Sequence, residues 1–157
     1  MEFYTQEEDR KPIHLTYAKF SVRLVAFLID WILLSILSAL FITVLGLPLV
    51  PDIYDYEARL KMNFISIVIS WLYYASFESS SYQATPGKQI MGIFVTDTEG
   101  YAITFSRATG RFFGRLLSGL LLLIGYIMAA FTERRQALHD LLAKTLVLKH
   151  PAQQEPV

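Results

Sequence analysis

No cysteine occurs anywhere in the 157 residues, so the chain has neither a disulfide nor a thiolate to hold a metal. Histidine is scarce too. His14, His139 and His150 share no ligand spacing, and no metal site is expected. Charge of one sign is missing, because fourteen Lys and Arg balance fourteen Asp and Glu. That balance argues against nucleic acid as a partner. No nucleophile elbow, HExxH or dinucleotide fingerprint is present. The stretch ending Gly87-Lys88 is not a phosphate-binding loop, since Tyr82 stands where its first glycine must be and Gln89 follows the lysine. No catalytic residue is assigned, no cofactor is expected, and the chain is read as non-enzymatic. Residues 3–19 hold no apolar run, so no cleavable signal peptide is expected.

What the chain has in excess is apolar surface, 54% of its residues. The organising stretch is Ser21 to Val50. From Leu24 to Leu47 its one charge is Asp30, and at about 1.5 Å per residue it reaches roughly 36 Å, enough to cross a core of about 30 Å. Pro48 and Pro51 stop it. A second apolar run, Met62 to Phe77, gives roughly 24 Å as a helix and is short for a crossing unless its ends extend into Leu60 or the SSSY stretch. Asn63, Ser66, Ser70, Tyr74 and Glu78 fall on one face of it. That stripe reads either as a close, hydrogen-bonded helix contact or as the lining of a polar path.

After a turn-rich connector, Ile90–Thr96 and Tyr101–Phe105 read as the strands of a β-hairpin turning at Asp97 to Gly100. Arg107, Arg111 and Arg115 form a basic stripe four residues apart, with Gly110, Gly114 and Ser118 as a small-residue stripe beside it. The third apolar run is Leu116 to Phe131. Thr132 is a candidate cap for a helix over 133–144, and TLVLK from Thr145 reads as a last strand.

The side on which the chain ends depends on that third run. Three crossings divide the Lys and Arg residues eight inside against six outside, whereas a re-entrant third segment divides them twelve against two. A re-entrant piece also leaves the TLVL strand on the side of the hairpin edge it can pair with. The expected fold is an α-helical membrane protein with two transmembrane helices, a broken re-entrant helical hairpin and a small cytoplasmic β-sheet. A third span with the C-terminus outside is the alternative. Residues 1–16 and 149–157 are expected as flexible tails around a membrane domain at 17–148, with the N-terminus cytoplasmic.

Arg23 and Asp30 share a face but stand about 10.5 Å apart along the axis, too far for an easy direct pair. With a re-entrant third segment, Asp140 lies on the same side, and Arg23, Asp30 and Asp140 become the candidate charge cluster. Lys88, Arg111, Arg115 and His139 are the candidate supporting residues. Such a cluster reads either as a structural ion-pair clamp or as a site for binding or proton transfer.

Three pieces in order carry a resemblance. They are R-x-x-A-x-x-x-D at Arg23, Ala26 and Asp30; Q-A-T-P-G-K at Gln83 to Lys88 with G-I-F-V-T-D-T-E-G after it; and R-R-Q-A-L-H-D-L-L-A-K-T at Arg134 to Thr145. They resemble the RDD family of bacterial membrane proteins over roughly residues 17–148. Lys144 departs from that pattern, which has a glycine there. The resemblance implies a protein of the bacterial cytoplasmic membrane, with cation/proton exchange among the activities attributed to the family. Two functions are carried forward. One is a small transporter, oligomeric or joined to another membrane protein, with Asp30 taking a monovalent cation or proton and Arg23 and Asp140 setting its affinity. The other is a membrane scaffold or accessory subunit whose charges are structural.

Overall fold

The computed structural model describes residues 16–120 and 124–149. The first helix, α1 (Phe20–Val44), is the apolar run of the sequence, preceded by a two-residue strand, β1 (Thr16–Tyr17). It ends where Gly46 turns left-handed at φ +70. There the Leu47 N–H donates to Ile42 O and the Gly46 N–H to Thr43 O, which satisfies carbonyls a bare helix end would leave open. Among the described residues α1 is the one helix both long and apolar enough to cross a bilayer. Leu28, Trp31, Ile36 and Leu40 stand exposed on its outer surface.

The second helix, α2 (Tyr56–Ser79), is longer than its apolar run. The Asp55 carboxylate accepts from the Ala58 N–H at 2.9 Å, so winding begins early, through the charged Glu57, Arg59 and Lys61. Its 24 residues reach about 36 Å, because the helix extends beyond the apolar run at both ends. A five-residue helix, α3 (Pro86–Ile90), follows with proline in its first turn.

The sheet orders its strands β1-β3-β2, all antiparallel, with β2 at Ile93–Asp97 and β3 at Thr145–Lys149. Phe94 faces Leu148 and Thr96 faces Leu146, so the last strand does pair with the one after the connector. β3 is central, and its first four residues are buried on both faces. The hairpin is a correction: residues 101–104 form no strand. Two local causes decide this. Gln83 already covers the outer edge of β2, its carbonyl accepting from the Val95 N–H at 2.8 Å and its side-chain amide donating to Val95 O at 3.2 Å. Thr104 then caps the next helix, α4 (Phe105–Leu120), and turns the chain away.

The third apolar segment is described as two helices, α4 up to Leu120 and α5 at Ile124–Phe131, with residues 121–123 outside the described set. The helix expected over 133–144 shrinks to α6 (Leu138–Ala143). Thr132 spends its hydroxyl on the turn before it, accepting from the Gln136 N–H at 2.7 Å. Lys144 ends α6 at φ 51, a left-handed position that glycine takes without steric cost.

Where sheet and helices meet, alanines at 18, 26, 75 and 108 let the backbones approach, and Ile93, Val95, Ile103 and Val147 fill the centre. Thr16 and Lys149, expected in the flanking tails, belong to the sheet. The rest of those tails, 1–15 and 150–157, lies outside the described residues.

Candidate functional site

Asp30 sits nearly three turns into α1 and is 1% exposed. The T-P-G of the connector supplies its partners. The Thr85 hydroxyl donates to one carboxylate oxygen at 2.6 Å. The Gly87 N–H, at the start of α3, donates to the other at 2.8 Å, as does the Tyr73 hydroxyl of α2. The carboxylate thus caps a helix 57 positions further along the chain. Gly87 is small for a reason: a Cβ there would collide with Ala26 O and lie 2.8 Å from the Asp30 carboxyl. Among the described residues no Lys, Arg or His pairs with Asp30. The structure therefore separates it from Arg23 and Asp140, with which the sequence grouped it.

Arg23 does meet Asp140, at 2.5 Å. The topology makes this contact, because β3 pairs with β1 and so draws α6 to the first turn of α1. Asp140 is also reached by Arg111 of α4 at 2.7 Å, and it accepts from the Ala137 N–H at 3.0 Å. A second carboxylate, Glu78 at the end of α2, takes Lys88 at 2.5 Å, Arg115 at 3.1 Å and Arg111 at 3.3 Å. Arg111 is thus the bridge. One guanidinium, 1% exposed, joins α2 to α6 through both buried acids. Arg115 also lies over the Tyr74 ring, 3.9 Å from its centroid. In all, three arginines and a lysine surround two carboxylates.

The supporting residues Lys88, Arg111, Arg115 and His139 all lie in or against this network. The polar stripe of α2 divides instead. Asn63 is exposed, Ser66 and Ser70 are half-buried, and only Tyr74 and Glu78 join the charges. The arginine stripe divides too, since Arg107 pairs at the surface with Asp97 at 3.3 Å. Tyr73, Thr85 and Gly87 were not singled out from sequence. The signal for two of them was present, a Thr-Pro-Gly helix start beside a buried acid in need of donors. Of the small-residue stripe, Gly114 lets α6 come close, its hypothetical Cβ lying 3.2 Å from the His139 backbone.

Burial alone would raise the Asp140 carboxyl, but Arg111 and Arg23 outweigh it and hold the acid well below the usual carboxylate range. Burial pushes His139 down to about 3, so it is neutral at pH 7. Burial likewise pushes the Lys88 ammonium down to about 7, opposed by Glu78 and reinforced by Arg111 and Arg115. The stability consequence has a definite sign. An unfolded histidine binds its proton near 6.5 and the folded one only near 3, so acid favours unfolding across that window. The thermal midpoint in detergent is expected to fall as pH drops below about 6.5, with Asp140 steepening the fall below the ordinary carboxylate range. His139→Gln should remove the upper part of that fall. A midpoint that keeps its full decline between pH 6.5 and 5 in this variant would refute the assignment.

Beside the network lies a cavity of about 510 Å³ between the start of α1, α4 and α5. Arg23, Lys88, Arg111, Arg115 and His139 line it together with Phe20, Leu24, Phe27 and Ile127. Among the described residues no carboxylate lines it.

The comparisons with known proteins agree in direction. The model of the RDD family matches residues 17–144. The chain is 34% identical over 146 residues to the uncharacterized protein YxaI of Bacillus subtilis (strain 168), covering 83% of this chain and 96% of that protein. It is 30% identical over 142 residues to the uncharacterized membrane protein YteJ of the same organism, covering 84% of this chain and 80% of that one. No solved structure matches.

Proposed function

The chain belongs to the RDD family, and from that premise we propose that it is a non-catalytic, multi-pass scaffold of the bacterial inner membrane. In this reading α1 and α2 cross the bilayer, while α4 and α5 form a re-entrant hairpin on the cytoplasmic side. The buried charges clamp the sheet, α3 and α6 against the membrane helices. The observation that carries it is Arg111 bridging Glu78 of α2 and Asp140 of α6. Breaking a buried pair by removing one partner costs about 3–5 kcal/mol, so a shared arginine couples the two parts into one unit.

Three features support the membrane arrangement. The exposed apolar face of α1 would be costly in water, and it is long enough to span. A similar protein carries the description of a membrane protein. β1 directly precedes α1 and pairs with β3, so both ends of the domain meet at one end of the helices. The bilayer, and a second copy or another membrane protein against α1, are the partners this surface fits.

Cation/proton exchange is the other reading, and the surroundings of Asp30 count against it. Both oxygens of that acid are taken by neutral donors, and the cavity is lined by cations. Reporter fusions after Lys149 should be active in the cytoplasm, and fusions within residues 48–55 outside. In liposomes the purified chain should show no cation-dependent proton flux. A flux that Asp30→Asn abolishes in a still-folded protein would replace the scaffold with a transporter.

A further inference from the structure

The charge network does not close on itself. Among the described residues three guanidiniums and an ammonium face two carboxylates, and all four cationic side chains line the cavity, where no described acid accompanies them. A cation-rich cavity with no acid among its described lining calls for an anionic occupant.

The remaining walls decide which anion. Phe20, Leu24, Phe27 and Ile127 would leave apolar surface against water if the occupant were a bare inorganic ion. The cavity instead combines basic and apolar side chains in its lining, the two chemistries an amphiphile has. Its α1 residues all lie in the first two turns, next to the sheet, which is headgroup depth if α1 crosses the bilayer. Leu24 and Phe27 are themselves exposed at 44% and 40%, so the apolar walls continue into the outer face of α1. Basic pockets between helices on the cytoplasmic side suit the headgroups of anionic lipids.

We propose that this cavity binds an anionic phospholipid, its phosphate held by Arg23, Lys88, Arg111 and Arg115 and its acyl chains leaving between α1 and α5. The lipid's negative charge offsets the surplus of positive charge along the wall. The bound lipid completes the clamp, so the scaffold is firm only in a membrane that supplies it. This rests on the membrane arrangement above. The reporter fusions test that arrangement separately, so a failure of lipid binding in a protein with the expected topology overturns this inference alone.

The test uses the full chain, delipidated in a neutral detergent, with three probes: phosphatidylglycerol, phosphatidylcholine and inorganic phosphate. Thermal unfolding and native mass spectrometry read the binding. Phosphatidylglycerol should raise the unfolding midpoint and remain bound in the gas phase, while the other two do neither. Gly119→Leu is the deciding variant. Gly119 lines the cavity, and a Cβ there meets nothing within 4 Å, so a larger side chain can start there without a backbone clash and takes up cavity volume. It should fold as the parent does and bind phosphatidylglycerol about tenfold more weakly or worse, as a blocked site requires. Equal stabilisation by phosphatidylcholine overturns the proposal. So does full phosphatidylglycerol binding by Gly119→Leu, and so does inorganic phosphate acting alone as well as the lipid.

Discussion

Glu78→Gln is expected to unfold the protein or bring it close to unfolding, with a loss of about 3–5 kcal/mol, the range for removing one member of a buried charge group. That is a large share of the roughly 5–15 kcal/mol that holds a typical domain together. Glu78 is 1% exposed and is the common acceptor for Lys88, Arg111 and Arg115. Neutralising it leaves three cations facing one another with Asp140 alone to balance them. Lys88→Met should cost much less, since it removes a surplus charge and leaves Glu78 two guanidinium partners. The double variant Glu78→Gln, Lys88→Met should recover part of the loss. Unfolding in detergent, followed by tryptophan fluorescence or size-exclusion after heating, measures all three. A Lys88→Met protein as unstable as Glu78→Gln would contradict the view that the network is rich in positive charge.

Gly87→Ala is expected to be nearly as damaging for an unrelated reason. Its Cβ would be driven into the backbone oxygen of Ala26 and the Asp30 carboxyl, and a main-chain atom in α1 cannot swing aside. α3 must move away, and the Gly87 N–H then loses its 2.8 Å bond to the buried acid. Overpacking and a lost bond to a charged group together amount to about 2–5 kcal/mol. Gly110→Ala is the control. Nothing lies within 4 Å of that position, so the change should be neutral or add up to about 1 kcal/mol through helix propensity. If the two alanine variants melt together, Gly87 is not at a contact point and the Asp30 cap is not what holds α3 on α1.

These two results test different halves of one arrangement. Asp30 joins α1 to α3 and α2 through neutral donors, while Glu78 and Asp140 join α2, α4, α6 and α1 through ions. In sequence the two look like one cluster, because a buried acid and a nearby arginine invite pairing when only spacing is known. The merger fails on geometry. Seven residues on a helix put Arg23 and Asp30 about 10.5 Å apart, and each found its partner on another element.

Read alone, the order of residues was enough for the long apolar helix, the strand pairing of Thr145–Lys149 and the meeting of Arg23 with Asp140, while the helix ends at Gly46 ahead of the prolines expected to stop it. Each follows from a local period, a turn residue or a count of charges along the chain, all of which are linear properties. Tertiary structure alone decided that Gln83 would occupy the edge of β2, that Thr85 and Gly87 would cap Asp30, and that Glu78 would gather three cations. Those outcomes depend on which backbones approach within hydrogen-bonding distance, and residues 57 positions apart, such as Asp30 and Gly87, carry no mark of that approach in their spacing.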